Sequence, residues 1–173
     1  MVVSKQDIQK GTAGPRRIQS KKEAQEFGKA HAGITVCPEC KSAYYEKSWH
    51  TSIDTTPEHL KTGEILSHLC PADQWKQERR YEGQVVIALP IDNPTARETV
   101  LNTIAHSDHQ ARQKDTLDRV LWTEEKGNII SVYTSENQLA VRIGKKLAGA
   151  FRGSTLDINH SHEEDVIRVH LTL

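Results

Sequence analysis

Two Cys-Pro turns are the parts of this 173-residue chain whose residue types and spacing most clearly predict chemistry. The first, Cys37–Cys40, reads Cys-Pro-Glu-Cys, and the second, Cys70–Asp73, comes after an insert of 29 residues and reads Cys-Pro-Ala-Asp. Thiolates two residues apart can share one ion, and structural zinc takes four tetrahedral ligands. Because a carboxylate oxygen is also an acceptable ligand, the two turns predict one zinc ion bound by Cys37, Cys40, Cys70 and Asp73.

The fourth ligand of this site stays open, because Asp73 stands where a fourth cysteine would be expected. Three histidines compete with the aspartate for that place: His50, His59 and His68. A second alternative is a motif that has lost its metal, with its cysteines as free thiols in a small apolar cluster. We expect the nearby aromatic side chains to pack over the two turns rather than to stack on exposed bases: Tyr44, Tyr45, Trp49 and Trp75.

The N-terminal residues 1–36 differ in charge from the rest of the chain. They carry seven basic and three acidic side chains, a net charge of +4, whereas the whole chain has 23 of each and a formal net charge of zero. Few large apolar residues are available to offset the ordering entropy of this segment, which predicts a flexible basic arm. Such arms bind phosphates, and four residues are candidates for RNA contacts: Arg16, Arg17, Lys21 and Lys22. The alternative is a solubilising tail without a partner.

From Gln84 onward, the hydrophobic pattern predicts regular elements. Short apolar or alternating runs predict strands at 84–89, 117–123, 129–134 and 167–173. Asn93-Pro94 predicts the start of a helix that frays in the polar stretch 106–115. Ser135 and Gln138 match a capping box for a second helix, which Gly153 should end.

The resulting order, β-α-β-β-α-β, is that of ferredoxin-like domains. We therefore predict an α+β protein in three parts: a flexible basic arm (1–36), a zinc-ribbon-like segment (37–83) and a ferredoxin-like domain (84–173).

The second predicted helix carries another candidate interface. Four cations are expected to project away from its apolar stripe, where they could grip a phosphate backbone: Arg142, Lys145, Lys146 and Arg152. The alternative is an ordinary solvated face, on which cations complement the helix dipole near the C-terminus.

Histidines and carboxylates could instead build a metal-dependent hydrolase site, and they cluster in two stretches that we expect to be loops. These stretches supply the following candidates: His106, Asp108, His109, His160 and His162. However, the chain contains no motif with a mechanistic spacing, such as a P-loop or a dinucleotide fingerprint. We therefore expect no catalytic activity.

Three motifs of this chain are similar to those of a known family. Cys37–Cys40, Cys70–Ala72 and Leu139–Gly144 (Leu-Ala-Val-Arg-Ile-Gly), together with the basic arm, resemble a small bacterial zinc-ribbon family. That family is distantly similar to the N-terminal part of the nonsense-mediated-decay-type adaptor of the large ribosomal subunit. The resemblance covers roughly residues 16–173, and Asp73 departs from the cysteine that normally ends the second turn. It implies a non-catalytic translation factor that binds ribosomes, rRNA or ribosomal proteins.

A zinc-dependent protein-interaction module without an RNA partner is the alternative function. The sequence has no apolar run long enough for a membrane span and no apolar segment near its start that would predict a secretory signal. Its three cysteines, an odd number, fit a metal site in a reducing compartment better than a disulfide framework. We expect a cytoplasmic protein that has no small-molecule substrate.

Overall fold

The structure of this chain is a computed structural model that describes residues 34–61, 63–91, 93–161 and 165–173. Residues 34–36, the last three of the predicted arm, form a strand. The four candidate RNA contacts of the arm lie outside the described residues: Arg16, Arg17, Lys21 and Lys22. All described residues belong to one unit, His31–Leu173, in which two sheets and three main helices pack together.

The first sheet consists of four strands of three residues each: β1 (Ile34–Val36), β2 (Ala43–Tyr45), β3 (Ser48–His50) and β4 (Ile65–Ser67). Their order is β3-β2-β1-β4, in which β1 and β4 run parallel and the other pairs are antiparallel. A 3-10 turn (Ile53–Thr55) and a four-residue helix (Glu58–Lys61) lie between β3 and β4. Strands this short bury few side chains, so the sheet depends on contacts with its surroundings.

Helix α1 (Pro71–Glu78) connects this small sheet to the rest of the chain. Cys70 is its N-cap residue, and Pro71 suits the first helical position because an N–H there would have no partner within the helix. The C-cap residue of the helix is Arg79, whose backbone is left-handed with a φ of 57°. Cys70 and Asp73, three residues apart, therefore lie on the same side of the first helical turn.

The second sheet has five strands: β5 (Gly83–Ala88), β6 (Val120–Lys126), β7 (Ile129–Thr134), β8 (Thr155–His160) and β9 (Ile167–Thr172). Their order is β6-β7-β5-β9-β8. Helices α2 (Pro94–Lys114) and α3 (Asn137–Ala150) pack on one face of this sheet and form the main core with it. The predicted apolar stripe of α3 is confirmed, because Leu139, Ile143 and Leu147 are fully buried there.

The protein is α+β, as predicted, but the ferredoxin-like strand order is not confirmed. A strand that the sequence pattern did not predict, β8, lies between α3 and β9 in the chain and pairs antiparallel with β9 at the sheet edge. This additional strand reverses the chain direction once more, so β9 runs parallel to β5. Without it, β9 would follow α3 directly, run parallel to β7 and therefore lie antiparallel to β5.

Helix α2 continues through the polar stretch 106–115 instead of fraying, and ends at Lys114. Ser107 and Ala111 are fully buried one turn apart, which ties this half of the helix to the core. Asp108 also accepts a hydrogen bond from the Val120 N–H at 2.7 Å, so the helix positions the start of β6. Tertiary contacts thus keep residues 106–114 helical, although their polar composition predicted fraying.

The predicted capping box of α3 is wrong. Glu136, not Ser135, is the N-cap residue, and it makes no side-chain capping hydrogen bond. The Ser135 hydroxyl accepts a hydrogen bond from the Arg119 N–H at 2.9 Å and donates one to the Leu117 carbonyl at 2.8 Å. Ser135 therefore fixes the segment that leads into β6 rather than the helix start.

Candidate metal centre

The first Cys-Pro turn is a tight loop that follows β1. The Cys37 N–H donates to the Ser42 carbonyl at 2.8 Å, and the Lys41 N–H donates back to the Cys37 carbonyl at 3.0 Å. Lys41 has a φ of 62°, the left-handed conformation that turns the chain back toward β2. The loop therefore closes on itself and directs the two thiols, Cys37 and Cys40, to one side.

The second turn presents its ligands from the start of α1. Cys70, the N-cap, and Asp73, in the first turn, lie on the same side of the helix and are both buried. The Gln74 N–H donates to the Cys70 carbonyl at 2.9 Å, which fixes the first helical turn. The aspartate is therefore held by regular helical structure rather than by a loop.

The two turns bring four candidate ligand atoms together. One atom each from Cys37, Cys40, Cys70 and Asp73 lie within 4.8 Å of one another. The Cys40 and Cys70 sulfurs are 3.6 Å apart, and Asp73 Oδ2 is 3.2 Å from Cys37 Sγ and 3.1 Å from Cys70 Sγ. Around a tetrahedral zinc ion the corresponding distances would be about 3.8 Å between sulfurs and about 3.5 Å between sulfur and oxygen. The four side chains could therefore hold a metal ion after movements of less than about 1 Å.

The protonation of the cluster follows from its burial and its internal hydrogen bonds. The hydrogen bond with Cys70 lowers the pKa of Cys40 to about 5, and Cys70, which keeps the proton, has a raised pKa. Burial raises the pKa of Cys37. Burial also acts to raise the pKa of Asp73, but hydrogen bonding with the cysteine side chains and the charge of Arg119 outweigh it and lower that pKa. The aspartate therefore enters the site as a carboxylate, ready to ligate a cation.

A fifth polar side chain, Arg119, lies against these four and comes from the segment before β6. Its guanidinium donates to Asp73 Oδ2 at 3.4 Å and to Cys70 Sγ at 3.5 Å, and only 4% of the side chain is exposed. The sequence does not identify Arg119 as part of the site, because nothing in its spacing connects it with either Cys-Pro turn. The one sequence signal that could have indicated a buried arginine here is its position directly before the apolar run Val120–Trp122.

Apolar and aromatic side chains surround the cluster. Ala72 and Leu121 are buried with Cys37 and Cys70, and Trp49 and Trp75 pack against them as predicted. Tyr45 packs in a neighbouring small core and stacks on His50, with ring centroids 3.7 Å apart. The site thus lies where the small sheet, α1 and β6 meet.

One side of the cluster opens to solvent. A cavity of about 160 Å³ lies beside Cys40 and Asp73, and its other charged lining residues are Glu39, Lys76, Arg112 and Arg119. Cys40 is the only ligand candidate of the four that is not buried.

Two of the competing histidines, His50 and His68, are not part of this cluster. His68 is solvent-exposed, and His50 is stacked on Tyr45. His59 lies in the helix Glu58–Lys61. In the part of the chain that the structure describes, the three cysteines and Asp73 are the one group of three or more such ligands close enough to share an ion.

The hydrolase candidates that the structure describes do not lie in the expected loops. His106, Asp108 and His109 are on α2, where Asp108 is 2.9 Å from the Arg112 guanidinium and also binds the Val120 N–H. His160 ends β8, and His162 lies outside the described residues. For the first stretch, the expectation of a loop was wrong because buried side chains extend α2 to Lys114.

The four cations that were predicted on α3 fall into two pairs, and one of them, Arg152, lies two residues beyond the end of the helix. Arg142 donates to Asp118 at 3.1 Å and Lys146 donates to Gln110 at 2.7 Å, so both are engaged within the protein. Lys145 and Arg152 are solvent-exposed. The predicted basic face is therefore smaller than the sequence suggested.

A scan of protein-family models and a search of curated proteins find no match to this chain. The resemblance to the zinc-ribbon family therefore stays a prediction. No helix among the described residues has the length and apolar character needed to cross a membrane.

Proposed function

We propose that this chain is a zinc-binding protein with one structural zinc ion, held by Cys37, Cys40, Cys70 and Asp73. The observation that carries the proposal is the convergence of these four ligand atoms, within 4.8 Å of one another, from two separate turns. Three thiolates favour zinc over hard cations such as Mg²⁺ and Ca²⁺, and an aspartate oxygen completes the four ligands of a tetrahedral site.

A structural role agrees better with this geometry than a catalytic one. Catalytic zinc sites keep one position open for water or substrate, whereas four protein ligands fill a tetrahedral shell. Cys37 and Cys70 are fully buried and Asp73 is 7% exposed, so the ion would be enclosed on most sides. The zinc would join the loop after β1 to the first turn of α1 and thereby fix the small sheet, which has little core of its own.

The zinc proposal is tested by native mass spectrometry of protein expressed with ample zinc. We expect one zinc ion per chain, and loss of that ion in Cys70→Ser and Asp73→Ala. His68→Ala is the matched control because His68 is exposed near the same turn, and it should keep its zinc. A metal-free wild-type chain would contradict the proposal. Loss of zinc in His68→Ala, with retention in Asp73→Ala, would show that the fourth ligand is the histidine.

We further propose that the protein is a non-catalytic factor that binds ribosomes or structured RNA. Two features support it: the net charge of +4 in residues 1–36, and the exposed pair Lys145 and Arg152 on α3 and directly after it. Among the described residues, Lys145 and Arg152 form no ion pair or side-chain hydrogen bond, in contrast to Arg142 and Lys146, which are held by Asp118 and Gln110. The three cysteines, which form no disulfide, suit the reducing cytoplasm, where ribosomes are found.

The RNA proposal is tested by co-sedimentation of the purified chain with ribosomes through a sucrose cushion at increasing salt. Each lost phosphate contact flattens the log–log salt dependence by about 0.7–0.9, so Lys145→Glu/Arg152→Glu should weaken binding and flatten the slope by about 1–2. The control Lys47→Glu/Lys126→Glu makes the same charge change at exposed positions in the β2–β3 turn and at the end of β6. Binding that ignores salt, or that falls equally in both double variants, would contradict a specific role for α3. Binding to a protein partner that does not depend on salt would favour the alternative function, a zinc-dependent protein-interaction module without an RNA partner.

A further inference from the structure

Arg119 is a buried cation beside the four ligands, although it is 46 residues from Asp73 in the chain. We propose that it is a positioning residue of the metal centre, which holds Asp73 as the fourth ligand and balances the charge of the thiolates. The proposal rests on the zinc site proposed above.

The charge of the site is the first reason. Three thiolates and a carboxylate bring four negative charges, of which a zinc ion neutralises two. An excess of negative charge in a buried site is costly unless a cation lies close to it. The Arg119 guanidinium is that cation, 3.4 Å from Asp73 Oδ2 and 3.5 Å from Cys70 Sγ. In the described residues, no other ion pair with Asp73 is present.

The way in which Arg119 is anchored is the second reason. Its Nη2 donates to the Thr116 carbonyl at 2.8 Å, which fixes the guanidinium in place. Its backbone is held separately, because its N–H donates to the Ser135 hydroxyl at 2.9 Å and its carbonyl accepts from the Ser135 N–H at 3.0 Å. A fixed guanidinium can orient a carboxylate, and this is how groups outside the ligand shell of metal sites tune affinity.

The cost of burying this side chain is the third reason. The Arg119 side chain is 4% exposed, and its Nε atom is buried with no hydrogen-bond partner among the described residues. An apolar side chain of similar size would fill the same space without that cost. Packing alone therefore does not account for an arginine at this position, whereas an anionic metal centre does.

The fourth ligand gains a physical explanation from this arrangement. A carboxylate can ligate the ion through one oxygen while a guanidinium donates to it, and charge-assisted hydrogen bonds of this kind are the stronger ones. A thiolate in the same place would accept only weaker hydrogen bonds. Arg119 and Asp73 therefore act as a pair, and Asp73 replaces the expected cysteine where this arginine can hold it.

The test is a zinc competition titration of the full chain against a chromophoric chelator, together with absorption spectra of the Co²⁺-loaded protein. Loss of an orienting group of this kind typically costs about 10–100-fold in metal affinity, and we expect that loss in Arg119→Met. Arg119→Lys, which keeps the charge but not the planar fork, should recover part of the affinity. Arg112→Met is the matched control, since Arg112 lines the same cavity but pairs with Asp108, and it should bind as the wild type does.

A second background separates positioning from general charge balance. In Asp73→Cys, the carboxylate that Arg119 holds is absent, so Arg119→Met should weaken zinc binding less there than in the wild type. The Co²⁺ spectrum should change in Arg119→Met, because the geometry of the oxygen ligand changes, and it should stay unchanged in Arg112→Met.

Three outcomes would overturn the proposal. Wild-type affinity and an unchanged Co²⁺ spectrum in Arg119→Met would show that the arginine only packs. An equal loss of affinity in the wild-type and Asp73→Cys backgrounds would remove the positioning role. A wild-type chain that binds neither zinc nor Co²⁺ would refute the zinc site itself, and that result is distinct from the first two because they require a metal-binding wild type.

Discussion

The two sheets of this protein are stabilised in different ways. The four strands of the small sheet have three residues each, and the buried apolar residues of its own core are Ile34, Ala43 and Tyr45. The strands of the large sheet have six or seven residues, and fifteen buried residues form its core with α2 and α3. Apolar burial is the main favourable term in folding, so the large sheet can rest on its own core. The small sheet lacks such a core and needs the ligand cluster at its border.

Removing the metal should reveal the difference in stability between the two sheets most clearly. When zinc is withdrawn from the loaded chain by a chelator, we expect backbone amides in β1, β4 and α1 to lose hydrogen-exchange protection by at least about 100-fold. Amides in β5 and β9 should keep theirs, because their core does not include the ligands. The measurement is hydrogen exchange followed by mass spectrometry with and without the chelator.

Restored protection after zinc is added back serves as the control for irreversible damage. Loss of protection in β5 and β9 together with β1 would show that the two sheets unfold as one unit. In that case, the contacts of Arg119 and Leu121 with the cysteine cluster would couple the regions more strongly than the difference in core size suggests.

Packing within the large sheet can be tested at two glycines of α3. A Cβ atom at Gly144 would lie 2.5 Å from Val169 Cγ1 and 3.3 Å from Leu156 Cδ1, whereas a Cβ at Gly149 would meet nothing within 4 Å. Overpacking costs about 1–3 kcal/mol, so Gly144→Ala should lower the free energy of unfolding even though alanine favours a helix by about 1 kcal/mol. Gly149→Ala should raise it by up to about 1 kcal/mol.

The measurement for both glycines is urea denaturation followed by circular dichroism. Similar effects of the two substitutions would show that α3 does not approach β9 as closely as these distances indicate. Because both residues are glycines of one helix, the comparison separates close packing from helix propensity.

The parts of the fold that the sequence predicted well are those with a strong local pattern. The apolar stripe of α3 and the alternation of β9 follow directly from periodicity. Strand β8 was missed because it lies at an edge and carries only two apolar residues, Leu156 and Ile158, both half-buried. The length of α2 was not predicted because its second half is buried through small residues, Ser107 and Ala111. Their tertiary contacts leave no hydrophobic periodicity in the sequence.

The candidate site divides in the same way. The four ligands could be predicted because their spacing repeats within two short turns, and the structure brings all four together. Arg119 could not be predicted as part of the site, because it is distant from Asp73 in the sequence and only the complete fold brings the two residues together. The pairing of Arg142 with Asp118 was missed for the same reason, and it removes one cation from the predicted basic face.

The smallest expected effect is a pH dependence at the start of α3. Partial burial, followed by the nearby charges of Glu82, Asp118 and Asp115, raises the pKa of Glu136 to about 7, from an ordinary value of 4.5. At pH values between 4.5 and about 7, Glu136 is deprotonated in the unfolded chain but keeps its proton in the folded protein. The contribution of Glu136 to stability is therefore present at pH 4.5 and below, and it is lost as the pH rises to about 7. Glu136→Gln removes this titration, so the variant should gain stability over the wild type at pH 8 compared with pH 5.

Despite its partial burial, Glu136 keeps more than a third of its surface in contact with solvent, so screening should reduce this gain to less than about 1 kcal/mol. The difference in free energy of unfolding between variant and wild type, measured by urea denaturation at both pH values, isolates the effect from the titration of the cysteine cluster. Glu98→Gln, which removes the same charge at an exposed position on α2, is the matched control. An equal effect of both substitutions would mean that the net charge of the protein, and not the local surroundings of Glu136, determines the pH dependence of stability. A pH-dependent gain confined to Glu136→Gln would show that the large sheet, unlike the ligand cluster, tolerates a carboxylate without a cation at a modest cost.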